Sequence, residues 1–151
     1  MTRPDAAALA ERFASPATEP AAGPALCAAG AMAAALIEKA CALSPGAGLE
    51  SEHARATDLR SELLATAERD YAAFEGVLLA RRGGGDERAA WAVAALVLRD
   101  AAALIEEVQF LADDVGRRCK PALSGEPIAA ALIALGAHRA ALALASLDEA
   151  D

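Results

Sequence analysis

The 151-residue chain sets 14 Lys and Arg against 22 Asp and Glu, for a formal charge of −8, and is 56% hydrophobic but only 3% aromatic. That length gives room for one domain, residues 1–151, with a sizeable core, and not comfortably for two. Scattered basic residues in an acidic chain argue against nucleic acid, because a phosphate backbone is held by clustered Lys and Arg.

Roughly three residues in ten are alanine, the best helix former, while the β-branched and aromatic residues that favour strands are scarce. The expected fold class is all-α, a five-helix array or bundle around a buried central helix. A short first helix is expected over Asp5 to Ala14, with Leu9 and Phe13 as its apolar edge. The stretch from Ser15 through Thr18, Glu19 and Pro20 to Gly23 reads as a loop by its turn residues. Pro24 opens a second helix reaching Leu43, apolar almost all round until Glu38 and Lys39, which is the pattern of a helix at a domain's centre. The turn residues Ser44 to Gly48 end it.

A third helix, Ser51 to Arg82, keeps Leu59, Leu63, Ala67, Tyr71, Phe74 and Leu78 at helical spacing. Gly83-Gly84-Gly85 breaks the chain, and nothing around it resembles a phosphate-binding loop. Asp86 is the N-cap candidate for a fourth helix, Glu87 to Arg118, whose stripe is Trp91, Leu98, Ile105, Val108 and Val115. After a loop from Cys119 to Leu123, Ser124 is placed to cap a fifth helix reaching Leu147, with Pro127 in its first turn. The basic knots Arg81-Arg82 and Arg117-Arg118-Cys119-Lys120 fall at helix C-termini, where positive charge meets the dipole favourably.

The chemistry-bearing residue types are sparse. Cys27 and Cys41 lie about 21 Å apart on one helix, too far for a disulfide, and with Cys119 are expected as reduced thiols in a cytoplasmic protein. His53 and His138 match no ligand spacing, so no metal is expected. Glu106-Glu107 and Asp113-Asp114 read as a solvated face. No segment is read as a signal peptide or a membrane span, since Ala21 to Ile37 is short and alanine-rich and His138-Arg139 interrupts the last apolar stretch. Small residues form strips at Ala29, Gly30, Ala33 and Ala34, and at Gly136, Ala140 and Ala141. They suit close helix packing or a subunit interface.

Three segments carry a family resemblance. The run Ser15-Pro16-Ala17-Thr18-Glu19-Pro20-Ala21-Ala22-Gly23-Pro24, with the alanine-rich helix after it, is similar to the S-P-x-P-x-P-G-G-G-S opening of the formiminotransferase-cyclodeaminase C-terminal family. Asp70-Tyr71-Ala72-Ala73-Phe74-Glu75-Gly76-Val77 is similar to its D-A-x-A-F-[DE]-x-V. Lys120-Pro121-Ala122-Leu123-Ser124 with Ile128 to Leu132 resembles its N-P-N-A-V-S-D-A-G-V-A-A-L. The family comprises formiminotetrahydrofolate cyclodeaminases and methenyltetrahydrofolate cyclohydrolases.

The resemblance implies a tetrahydrofolate derivative as substrate, no further cofactor and a homodimer. It points to Asp70 as the catalytic group, with Gly23, Tyr71, Phe74 and Ser124 as substrate contacts; read from the residues alone, Asp70 is equally a solvated helix charge, Gly23 a support for the turn and Ser124 a helix cap. Carboxylates suit such chemistry because they stabilise a cationic one-carbon bridge and move protons beside it. The departures point the other way: Ala21, Ala22 and Pro24 stand where the family has glycines and a serine, and Gly125 where it has an acid. Two added Cβ atoms and a proline without an N–H would blunt an anion cradle at that helix end. The expectation is a folate one-carbon protein of impaired turnover; the alternative is a non-catalytic helical dimer that binds a small ligand or a protein partner.

Overall fold

The structure, a computed structural model, describes residues 6–17 and 21–150. Asp5 and the loop residues Thr18, Glu19 and Pro20 lie outside the described residues. Five α-helices follow one another: α1 Ala6–Ala14, α2 Ala22–Ala42, α3 Glu50–Gly83, α4 Glu87–Arg118 and α5 Gly125–Asp148. A single 3₁₀ turn, Pro121–Leu123, precedes α5, and no strand occurs among the described residues.

The helix limits have local causes. Asp86 accepts a hydrogen bond from the Ala89 N–H at 2.9 Å, so the expected N-cap of α4 is made. Gly84 ends α3 at φ 69°, a left-handed conformation that suits glycine. Ser124 does stand at the N-cap of α5, but its hydroxyl makes no capping bond, because its backbone is already helical at φ −60°, ψ −21°.

Short connections make successive long helices antiparallel neighbours. The α2, α3, α4 and α5 helices pack in a ring in that order, α5 closes against α2, and α2 also reaches α4 across the middle. As its sequence pattern requires, α2 is the central helix, burying Cys27, Gly30, Ala31, Ala33, Ala34, Ile37, Ala40 and Cys41. At Gly30 a methyl group would lie 2.9 Å from Ile105 and 3.1 Å from Leu63. The small strip on α2 thus serves packing inside the chain. Gly136 on α5, in contrast, faces open space.

In α3 the buried positions are Ala56, Leu59, Leu63, Thr66, Ala73 and Val77. Beyond Leu63 this differs from the expected Ala67, Tyr71, Phe74 and Leu78, which are only half-buried. The reason is length: α3 and α4 run about 50 Å, whereas α2 and α5 run only about 32–36 Å. The far halves of α3 and α4 therefore project past the other two helices and pack mainly on each other. Ala73, Ala94 and Val97 form a second small cluster there, with Trp91 against it.

The other end of the bundle is tied by ions. Arg118 binds Glu52, Asp114 and the carbonyl of Gly48, and Ser44 Oγ accepts the Lys120 N–H at 3.0 Å. Glu107 and Asp114 are not merely solvated, as the sequence suggested: Arg55 grips Glu107 at 2.6 and 2.7 Å, and Asp114 holds Arg117 and Arg118. Such exposed pairs orient the helices more than they stabilise them.

Candidate functional site

The ledge where α2 and α5 stop and the α3–α4 hairpin continues encloses a cavity of about 150 Å³. Its walls are Ala21, Ala22 and Gly23 from the start of α2, Asp70 and Phe74 from α3, Trp91, Ala94 and Leu98 from α4, and Leu144 and Asp148 from the end of α5. Phe74 and Trp91 meet at 6.1 Å between ring centroids with planes tilted by 57°, within the range of favourable aromatic pairs.

Asp70 is the chemical centre of this cavity. It is half-buried, and its carboxyl group lies directly over Gly23 at the N-terminal turn of α2. A methyl group at position 23 would collide with all three carboxyl atoms, so a larger residue there requires the Asp70 side chain to swing away. Burial first, and the charge of Asp148 second, push the Asp70 carboxyl up from 3.8 to about 6. Cys27, one turn further along α2, is buried against the same carboxylate, and burial pushes its thiol up to about 11. It therefore stays protonated and unreactive near neutrality.

The N-terminus of α2 is not an open anion cradle. Pro24 at the third helical position lacks an N–H, and Asp70 already fills the space over Gly23. The partial positive charge of the helix end thus faces an anion from the same chain.

Of the residues singled out in the sequence, Gly23, Asp70 and Phe74 meet in this cavity. Tyr71 is half-buried but does not line it. Ser124 is elsewhere: it lines an apolar groove of about 360 Å³ with Ala112, Asp113, Gly116, Pro127, Ile128, Ala131 and Leu132. Twenty helical residues separate it from Leu144, about 30 Å along α5, so within one chain it cannot touch what Asp70 touches. Trp91, Leu144 and Asp148 were missed as site residues. Trp91 reads from its spacing as plain core, and the α5 contribution depends on which turn of α5 ends beside Asp70.

The two histidines do other work. The ring Nδ1 of His138 sits 2.9 Å from the Ala102 carbonyl oxygen, while His53 lines a separate cavity of about 300 Å³ with Cys41, Ser44 and Leu49.

No protein-family model matches the chain, and no curated protein matches it in sequence. Among solved structures it is similar to formiminotetrahydrofolate cyclodeaminase from Thermotoga maritima, with a TM-score of 0.81 over 95% of this chain and 78% of that one. The chain has that enzyme's fold. At 21% identity the likeness is one of architecture.

Proposed function

We propose that the chain acts on a tetrahydrofolate-borne one-carbon unit, as a formiminotetrahydrofolate cyclodeaminase or methenyltetrahydrofolate cyclohydrolase, with low turnover. The carrying observation is Asp70, a half-buried carboxyl raised to about 6 beside an aromatic pair. A group with that value is mostly carboxylate at neutral pH yet keeps an appreciable acid fraction, so it serves proton transfer in both directions.

In cyclohydrolysis the carboxylate of Asp70 takes the proton from a water attacking the cationic methenyl carbon. In cyclodeamination N10 closes on the formimino carbon and gives its proton to the Asp70 carboxylate, and the acid form so produced returns a proton to the amino group, which leaves as ammonia when its C–N bond breaks. Asp148 at the rim adds negative charge that favours a cationic bridge. The cavity sets the limit on efficiency. At about 150 Å³ it is half the lower bound of roughly 300 Å³ usual for small-molecule sites. It holds the one-carbon end and leaves the pterin and the tail outside. Among the described residues no Lys or Arg lines it to hold a folate carboxylate.

That small volume also favours a second reading, a non-catalytic relative that binds a ligand without turning it over. Methenyltetrahydrofolate hydrolysis followed by absorbance, beside formiminotetrahydrofolate conversion, separates the two. Turnover abolished by Asp70→Asn supports the enzyme; binding without turnover supports the relative.

A further inference from the structure

The chemistry of the Asp70 cavity uses none of the chain's cysteines, all three of which are free thiols. Cys27 is enclosed near the start of α2, about 21 Å from Cys41. The other two come together at the opposite end of the bundle. Cys41 lies in the last turn of α2 and belongs to the buried core. Cys119 is the half-buried residue that ends α4, and it packs against that same core group.

One buried serine holds the two segments side by side. The Ser44 N–H donates to the Cys41 carbonyl at 3.0 Å, and Ser44 Oγ accepts the Lys120 N–H at 3.0 Å, from the peptide bond that joins Cys119 to Lys120. The thiols also feel each other electrostatically. Burial first, then Glu52 and Cys119, push the Cys41 thiol up to about 11, with Arg118 acting in the opposite sense. Neither cysteine is fixed in mid-helix. Cys119 stands past the end of α4 with extended backbone at φ −69°, ψ 167°, and Cys41 is three residues from a turn in which Gly46 and Gly48 take positive φ. Bringing the two Cβ atoms to bonding distance therefore moves two chain ends and bends no helix.

We propose that Cys41 and Cys119 are a redox pair, which a small-molecule disulfide oxidises to a bridge that locks the end of α2 to the end of α4. Cys119, the more accessible of the two, attacks one sulfur of the reagent as thiolate. The reagent's S–S bond breaks, one small thiolate leaves, and a mixed disulfide remains on Cys119. Cys41 then gives up its proton and displaces the second small thiolate. One S–S bond has formed and one has broken: the cysteines are oxidised, and the reagent is reduced to two thiols that carry both protons. The order of attack follows from burial. A thiol raised to about 11 is a poor nucleophile toward a reagent in solution, but as the resolving group it meets a partner already held beside it. The cavity of about 300 Å³ that Cys41 lines gives the departing thiol a way out. The bridge would enclose the whole α3–α4 hairpin, a loop of about 80 residues, and long loops gain most from closure. The pair lies at the far end of α2 from Asp70, so it stands apart from the folate reading.

The test incubates the full chain with oxidised glutathione, quenches in acid and alkylates under denaturing conditions. Wild type should pass from three alkylatable thiols per chain to one, Cys27, and a non-reduced peptide map should join the Cys41 and Cys119 peptides. Cys27→Ala should form the same bridge. Cys41→Ala should stop at the mixed disulfide on Cys119, and Cys119→Ser, at a half-buried position, should keep both of its remaining thiols. The bridged wild type should melt about 10 °C above the reduced chain, and dithiothreitol should abolish the difference. A glutathione adduct that persists on Cys119 of wild type, disulfide-linked dimers, three thiols left unchanged, or a bridged chain that melts no higher would each overturn the redox pair.

Discussion

Replacing Asp70 by asparagine should make the protein more stable near neutrality, and the size of the gain follows from the cavity. A carboxyl that titrates at about 6 in the fold and near 3.9 in an unfolded chain binds protons more tightly when folded. Between those values the native state holds more protons than the unfolded state, so stability falls as pH rises through that window and levels off above about 6. A two-unit shift corresponds at most to about 3 kcal/mol. Asp70 is only half-buried, and solvent screening reduces that to about 1–1.5 kcal/mol. Asparagine keeps the shape and removes the charge. Thermal melts of wild type and Asp70→Asn should coincide near pH 4 and separate by about 2–6 °C at pH 7.5, with the variant higher. A gap that is equal at both pH values, or a variant that melts lower at pH 7.5, would show that Asp70 is not held at a cost by its surroundings.

The neighbouring contacts give further expectations, all readable by denaturant titration. Gly23→Ala should cost about 1–3 kcal/mol by driving a methyl into the Asp70 carboxyl, and most of the loss should vanish in an Asp70→Gly background; additive losses would refute the contact. Ile105 is fully buried against Gly30, so Ile105→Ala should cost about 2–5 kcal/mol. Asp86→Ala, which removes the side-chain bond that caps the N-terminus of α4, should cost about 0.5–2 kcal/mol.

The helices were legible because their ends carry chemical punctuation. Asp86 before α4, the glycines after α3 and the turn residues from Ser44 to Gly48 each mark a boundary that the structure keeps within a residue or two. The centrality of α2 followed from its lack of a polar face. The far half of α3 misled, since a projecting hairpin buries Ala73 and Val77 between two helices, and periodicity alone does not tell a two-helix face from a four-helix one. Asp70 and Phe74 stood out through a short motif, and Gly23 joined them because α2 begins beside the middle of α3. The separation of Ser124 from that group is a matter of three-dimensional length along α5, to which local pattern is blind. Trp91 is the instructive omission: an aromatic on an apolar stripe reads as core until the helix opposite it ends.

The most direct test of the central claim is the pH dependence of kcat/KM for methenyltetrahydrofolate hydrolysis, with the spontaneous rate subtracted. If Asp70 acts as the base, the rate should rise through an apparent pKa near 6 and flatten above it, and Asp70→Asn should lower the plateau by roughly 10²–10⁴ and remove the inflection. A profile that keeps its inflection in Asp70→Asn, or a plateau that this variant leaves unchanged, would contradict the assignment of the cavity as the active site.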